Sequence, residues 1–423
     1  MPKMICLIFC LLLTAGFLAA CDQNTNNSST ADDHPADAAD DDDNVADDEA
    51  DDEVDDDDIG DDDILDDDLT PPGLVVTGQQ WPEADQLFHQ VPDWLGADAA
   101  LSVDLGDERS LWLFGDTFVA TSENHTRFES VMVHNTVAIQ DGCDPLTADM
   151  AFYWRTKPSG QPGSFFREDG DLFHWPGHGL LAEDGRLIVF LVVEKLTPGQ
   201  GLGFETQGWQ IVVIDDATPP PDQWVIRAYD PPALPFDAIV GSAVVYEAPY
   251  LVAVARKEQG VHAGYLARFL MEDLIHGDFS SLEWWNGTEP GWVSTETLSG
   301  HPPVAWLADA GAECSLHHDD RLDLWLHVTS RGFGATTMAM DYSTSITGPY
   351  INQPDVYTPP ESEGPNPFVY AARAHPELDG GDPSELVATY ATNSFDFWDL
   401  FTPEGEQNLY WPRFVLLNLD LEQ

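Results

Sequence analysis

The sequence predicts an all-β chain closed into a five-bladed β-propeller, set behind an N-terminal leader and an acidic tether. Three observations predict it. Short β-branched and aromatic runs are separated by frequent Gly and Pro, the pattern of strands joined by turns. One hairpin layout recurs five times between Ala97 and Asn393, and self-similarity at a steady period marks a repeat architecture. The polar residue that opens each hairpin recurs at intervals of 80, 64, 71 and 62 residues. That length suits one four-stranded blade with generous loops.

The leader comes first. Residues 1–20 hold Met-Pro-Lys and an apolar run from Ile5 to Ala20, too short for a stable membrane-spanning helix. The run ends Leu18-Ala19-Ala20-Cys21. This is the pattern of a bacterial lipoprotein signal, in which the cysteine thiol takes a diacylglycerol before cleavage. Cys21 is therefore the expected lipid-bearing N-terminus, anchored in the cell envelope outside the cytoplasm.

The tether follows. Residues 22–70 contain 24 Asp or Glu and no Lys or Arg, with runs such as Asp55–Asp58 and Asp61–Asp63. A block of like charge with almost no aromatic content cannot bury a core, and self-repulsion extends it. Fully extended it would reach about 170 Å. It lacks the regular Asp-x-Asp-x-Asp-Gly spacing of a calcium loop.

Residues 71–423 are expected to form the propeller. They carry 52 acidic and 15 basic residues, a surface that repels nucleic acid. Only Cys143 and Cys314 lie in this part. The compartment permits a disulfide between them, and the sequence leaves the pairing open.

Each hairpin opens with a small residue and then a polar one, turns, and returns as a strongly apolar strand ending on a charged or amide residue. The first runs from Ala97-Asp98 to Leu105 and from Leu111 to Asp116. The second pairs Gly177-His178 with Leu187 to Glu194, through the turn Asp184-Gly185. The third pairs Gly241-Ser242 with Tyr250 to Arg256, the fourth Ala312-Glu313 with Leu322 to Arg331, and the fifth Ala374-His375 with Leu386 to Asn393. Tyr410–Leu419 reads as a late strand, and residues 74–90 can supply the strand that closes the ring. Closure removes the open sheet edge that would invite aggregation.

In a propeller the first strand of each blade lines the central channel. The openers Asp98, His178, Ser242, Glu313 and His375 are thus expected in one ring at its mouth. Asp116, Glu194, Arg256, Arg331 and Asn393 are expected in a second ring. Convergent polar groups in a pocket form a default binding site. Asp98 and Asp116 stand equidistant from the turn Gly106-Asp107-Glu108, so they face each other across the hairpin about 5 Å apart. Two carboxylates so close separate in pKa, one serving as acid while the other stays ionised. Phe114 and Phe118 flank Asp116, which makes Asp116 the expected acid and Asp98 the expected nucleophile or base. Glu313 is a third carboxylate, available to position a sugar, tune a pKa or act as the acid.

Paired carboxylates with arginines in a wet channel suit glycoside hydrolysis, a short pair favouring retention and a separation of about 6.5–9.5 Å inversion. Sugar hydrogen bonding is assigned to His178, Glu194, Arg256, Arg331, His375 and Asn393. Trp175, beside His178, and Trp398, after Asn393, lie nearest the expected mouth. No His-x-x-His, Gly-x-Ser-x-Gly or phosphate-loop pattern is present, so no metal ligands and no cofactor are assigned. A structural channel ion such as calcium stays open. The alternative function is a non-catalytic propeller that binds glycan or protein at the envelope. A monomer is expected.

Gly96-Ala-Asp98-Ala-Ala-Leu-Ser followed by Leu111-Trp-Leu-Phe-Gly-Asp116-Thr resembles the opening of secreted bacterial five-bladed propellers, among them glycoside hydrolase family 183, the endo-D-arabinanases. His134-Asn135-Thr136, Ser345-Ile-Thr-Gly-Pro-Tyr350, Ala374-His375-Pro-Glu-Leu378 and Tyr410-Trp-Pro-Arg413-Phe extend the likeness. The resemblance implies that Asp98 and Asp116 are the catalytic aspartates, that Asn135 joins the sugar-binding residues, and that α-D-arabinofuranosyl linkages are the substrate. Where relatives often have Gly and an aromatic residue, this chain has Ala99-Ala100.

Overall fold

A computed structural model describes residues 73–199, 203–332 and 334–422. The leader, Cys21 and the acidic segment lie outside the described residues, and the anchoring expectation with them. Five antiparallel sheets form five blades around a channel. From the channel outward, blade one is Leu101–Asp104, Arg109–Phe114, Thr136–Asp141 and Asp149–Tyr153. Blade two is Leu172–Leu181, Leu187–Leu196, Phe204–Ile214 and Ile226–Tyr229. Blade three is Ile239–Glu247, Tyr250–Arg256, Gly264–Leu270 and Glu283–Trp285, with Trp292–Ser294 as a fifth strand. Blade four is Cys314–Asp319, Leu324–Thr329, Met338–Ser343 and Ile351–Tyr357.

Blade five is composite. Its strands Pro367–Ala374, Glu385–Ser394 and Arg413–Leu421 come from the C-terminal end, and its outer strand is Leu74–Gln80. Leu74 pairs with Leu421 and Gln80 with Val415, so the ring is closed through backbone hydrogen bonds by the segment expected to do so.

The cores explain the apolar second strands. A strand points alternate side chains to opposite faces. In Leu187–Leu196, Leu187, Val189 and Leu191 pack with Leu111 and Leu113 of blade one. Ile188, Phe190 and Val192 pack with Leu251, Ala253 and Phe269 of blade three. Both faces are buried, so the strand reads as an unbroken apolar run. Val254 with Leu316 joins blades three and four, and Leu326 with Val415 joins four and five. Phe414 with Trp112 and Phe114 joins five and one, where Phe88 stacks on Phe414 at 5.1 Å. Each fully buried Leu or Phe contributes about 1.5–3 kcal/mol.

Small residues let the inner strands approach. A side chain on Gly177 would meet the Gly241 carbonyl, and one on Gly241 would meet the Phe190 ring. Gly241 also has a φ of 107°, which favours glycine. Cys143 and Cys314 are both free thiols, the first partly exposed and the second buried at the start of blade four's inner strand. Among the described residues no helix is long and apolar enough to cross a membrane.

Candidate active site

The hairpin of blade one does not stop at the blade. It continues into a small sheet formed by Trp94–Ala97, Thr117–Ala120 and Ser130–Val133. Asp98 and Asp116 occupy the joint between the two sheets. Leu101 pairs with Leu113 below them, and Ala97 with Thr117 above. The Asp98 N–H donates to the Asp116 carbonyl at 3.1 Å, and the Gly115 N–H donates to the Asp98 carbonyl at 3.0 Å. The two aspartates are therefore cross-strand partners, as their equal distance from the turn requires. Gly115 has no room for a side chain, because one would strike Asp98 Oδ1. Ala99 holds a φ of 50°, a left-handed conformation that favours glycine.

The carboxyl whose pKa burial raises is Asp98, which the sequence marked as the nucleophile or base. Asp116 Oδ1 accepts from the Trp175 indole N–H at 2.9 Å and from His134 Nδ1 at 3.1 Å. Burial opposes charge on the His134 ring, but the hydrogen bond and charge of Asp116 outweigh it and hold its pKa above the ordinary value. Asp98 Oδ2 accepts from the Tyr410 hydroxyl at 3.2 Å, and the Asp116 backbone N–H also acts on its carboxyl. Burial raises its pKa well above the usual carboxylate range, and the charges of Asp116 and Glu313 raise it further. Burial and charge thus act on Asp98, while Asp116 is held by hydrogen bonds from Trp175 and His134. The flanking phenylalanines misled because they pack elsewhere. Phe114 lies in the core with Phe88, Trp94 and Trp112, and Phe118 lies against Phe401 and Tyr410.

Glu313 immediately precedes blade four's inner strand, and its charge acts on Asp98. Its own pKa is raised by burial and drawn back by Arg256. Arg256 pairs with Glu258 at 3.1 Å and donates to Ser242 Oγ at 3.3 Å. Glu194 accepts from Thr206 Oγ1 at 2.8 Å, and its second oxygen is buried without a partner among the described residues. Burial lifts its pKa to about 7 against the pull of Thr206. The Asp116 charge acts on Glu194, and the Asp98, Glu313 and Asp116 charges act on the Tyr370 hydroxyl. The Asn393 amide lies beside that hydroxyl. Asp98, Asp116, Glu313, Glu194, Arg256 and Asn393 thus share one polar neighbourhood.

Four expected sugar-binding residues do not belong there. His178 is a strut between blades: Nε2 donates to the Ser102 carbonyl at 2.8 Å and Nδ1 accepts from the Val244 N–H at 3.0 Å. Burial lowers its pKa to about 3. His375 is fully buried between Ser102 Oγ at 2.5 Å and Thr389 Oγ1 at 2.7 Å. The reason is the start of each inner strand. Blade two's begins at Leu172 and blade five's at Pro367, well before the histidines, which therefore sit deep in the channel. Asp98 and Glu313 precede their strands and remain at the mouth. Arg331 turns to blade four's third strand, donating to Asp341 Oδ2 at 2.5 Å. Asn135 is fully buried and ties a loop, donating to the His174 carbonyl at 2.8 Å and accepting from the Phe166 N–H at 2.6 Å.

His134, Tyr370, Tyr410, Glu258 and Thr206 were not singled out from sequence as site residues. His134 and Tyr410 lay inside the matching motifs, which was the available signal. Arg127 holds Tyr410 in place. Its buried guanidinium donates to the carbonyls of Leu95 at 3.0 Å, Leu400 at 3.0 Å, Gly405 at 3.2 Å and Leu409 at 2.7 Å. Among the described residues no three His, Cys, Asp or Glu gather to hold a metal ion.

A five-bladed propeller with a carboxylate pair at one end of its channel is the class this architecture defines. The chain belongs to the DUF5005 family, described as a domain of unknown function, whose model matches residues 82–418. A candidate hydrolase from Bacteroides ovatus shares the fold, with 17% identity, a TM-score of 0.62, and coverage of 82% of this chain and 93% of that one. The catalytic domain of a family 62 α-L-arabinofuranosidase from Coprinopsis cinerea is a looser likeness, with 12% identity, a TM-score of 0.43, and coverage of 83% and 98%. No curated protein matches in sequence.

Proposed function

We propose that the chain is a glycoside hydrolase acting within furanoside polysaccharide such as D-arabinan, with Asp98 and Asp116 as its reacting carboxylates. One observation carries this reading: two cross-strand aspartates in different environments, one with its pKa raised by burial and neighbouring charge, the other held by hydrogen bonds from Trp175 and His134. Asp98 gives its proton to the glycosidic oxygen as that bond breaks. Asp116 attacks the anomeric carbon, and water later releases the sugar with Asp98 acting as base. Glu313 raises the Asp98 pKa across the channel mouth. The adjacent position of the pair on one hairpin favours retention over inversion. We further propose that lipid on Cys21 holds the enzyme at the cell envelope, keeping released fragments close.

The test is a panel of arabinans and related glycans, comparing wild type with Asp98→Asn and Asp116→Asn. Each variant is expected to lose about 10²–10⁴-fold in rate while keeping glycan affinity. Absence of sugar release from all three, with equal binding, would establish a non-catalytic glycan-binding propeller instead. NMR of the first anomer released is expected to show retention, and initial inversion would exclude Asp116 as nucleophile. Palmitate labelling lost in Cys21→Ala would test the anchor.

A further inference from the structure

The channel has a second cavity that the carboxylate pair does not use. It has a volume of about 500 Å³, within the range of small-molecule sites. Its walls come from the later parts of the inner strands, including Asp104, Leu181, Glu247 and His318. Asp98 and Glu313 precede their inner strands, so this cavity opens at the opposite end of the channel.

Residues of its lining carry buried hydrogen-bonding atoms that meet no partner among the described residues. Arg373, 1% exposed, has Nε and Nη1 without partners. His317, 8% exposed, has both ring nitrogens without partners. Glu377 Oε1 is also buried and unpartnered. Buried polar groups are normally satisfied, so a cluster of exceptions in one cavity calls for an occupant.

The set is mixed. Arg373 can only donate, Glu377 as a carboxylate can only accept, and a neutral His317 does one of each. Burial keeps His317 neutral, with a pKa lowered to about 4. An anion would satisfy Arg373 but face Glu377, Asp104 and Glu247. A cation would face Arg373. Hydroxyl groups donate and accept at once, so a polyhydroxyl ligand serves the whole set. The walls also carry Trp325 and Tyr246, the latter 37% exposed and able to cover a sugar face.

We propose that this cavity is a second, non-catalytic saccharide-binding site, facing away from Asp98 and Asp116. It rests on its own residues, independent of whether the other end cleaves glycans. The test uses the full chain and calorimetric titration with neutral pentose and hexose trisaccharides, with sodium phosphate and calcium chloride as ionic probes. Wild type is compared with Tyr246→Ala and Glu377→Gln, each checked for folding by thermal melting. Tyr246 is at the surface, so its variant keeps the test decisive if Glu377→Gln fails to fold. At least one trisaccharide is expected to bind, with affinity lowered tenfold or more by Tyr246→Ala. Absence of trisaccharide binding, binding indifferent to Tyr246→Ala, or binding of phosphate or calcium alone would overturn the proposal.

Discussion

At the residue scale, the site turns on how burial and partners divide its carboxylates. Glu194 gives the clearest pH signature. Its pKa rises from 4.5 to about 7 because its carboxyl is buried with one oxygen unpartnered. A raised carboxyl favours the folded state at acidic pH. Below its unfolded pKa the favourable contribution is complete, and it is lost as pH rises through about 7. The change is on the order of 3 kcal/mol. Glu194→Gln has no proton to lose, so its advantage over wild type should grow by roughly that amount between pH 4.5 and pH 7.5. Urea denaturation at both pH values checks this, and a constant difference would show that Glu194 does not titrate in that window.

At the scale of elements, one cation holds several segments together. Arg127 links the small sheet through Leu95 to the segment that carries Leu400, Gly405 and Leu409, directly before Tyr410. Its ring contacts with Phe118, Tyr410 and Trp411 lie at 5.3, 5.9 and 5.9 Å. Lysine keeps the charge but not the planar fork of donors. Arg127→Lys should therefore destabilise by about 2–4 kcal/mol. It should also lower kcat more than it raises KM, because Tyr410 loses its support beneath Asp98. Steady-state kinetics beside Tyr410→Phe separates that positioning effect from unfolding. A second element matters for closure. Leu417 is fully buried in the strand that pairs with Leu74–Gln80. Leu417→Ala should cost about 2–5 kcal/mol, measured by denaturant midpoint.

For the whole molecule, charge is the dominant long-range feature. The propeller segment carries 52 acidic residues against 15 basic ones. Self-repulsion of that size works against the compact state, and salt screens it over about 10 Å at 0.1 M. The melting temperature should rise between 20 mM and 500 mM sodium chloride. A flat or falling melting temperature would show that local ion pairs, such as Arg413 with Asp85 at 3.0 Å, outweigh net repulsion.

The amino-acid sequence by itself determined the repeat, the number of blades, the closing strand and the Asp98–Asp116 pair. These are legible because they depend on short-range order: hairpin register follows from distance to a turn, and a strand buried on both faces must be apolar throughout. Depth and partnership were decided only by the tertiary structure. His178 and His375 look like Asp98 in the repeat, yet each lies deep because its strand begins earlier. The acid could not be chosen from neighbours in sequence, since the groups that set the two carboxylates apart come from elsewhere in the chain. Trp175 reaches Asp116 from 59 residues away and Tyr410 reaches Asp98 from 312. A pKa depends on three-dimensional burial and charge, and blade closure brings those residues to the carboxylates.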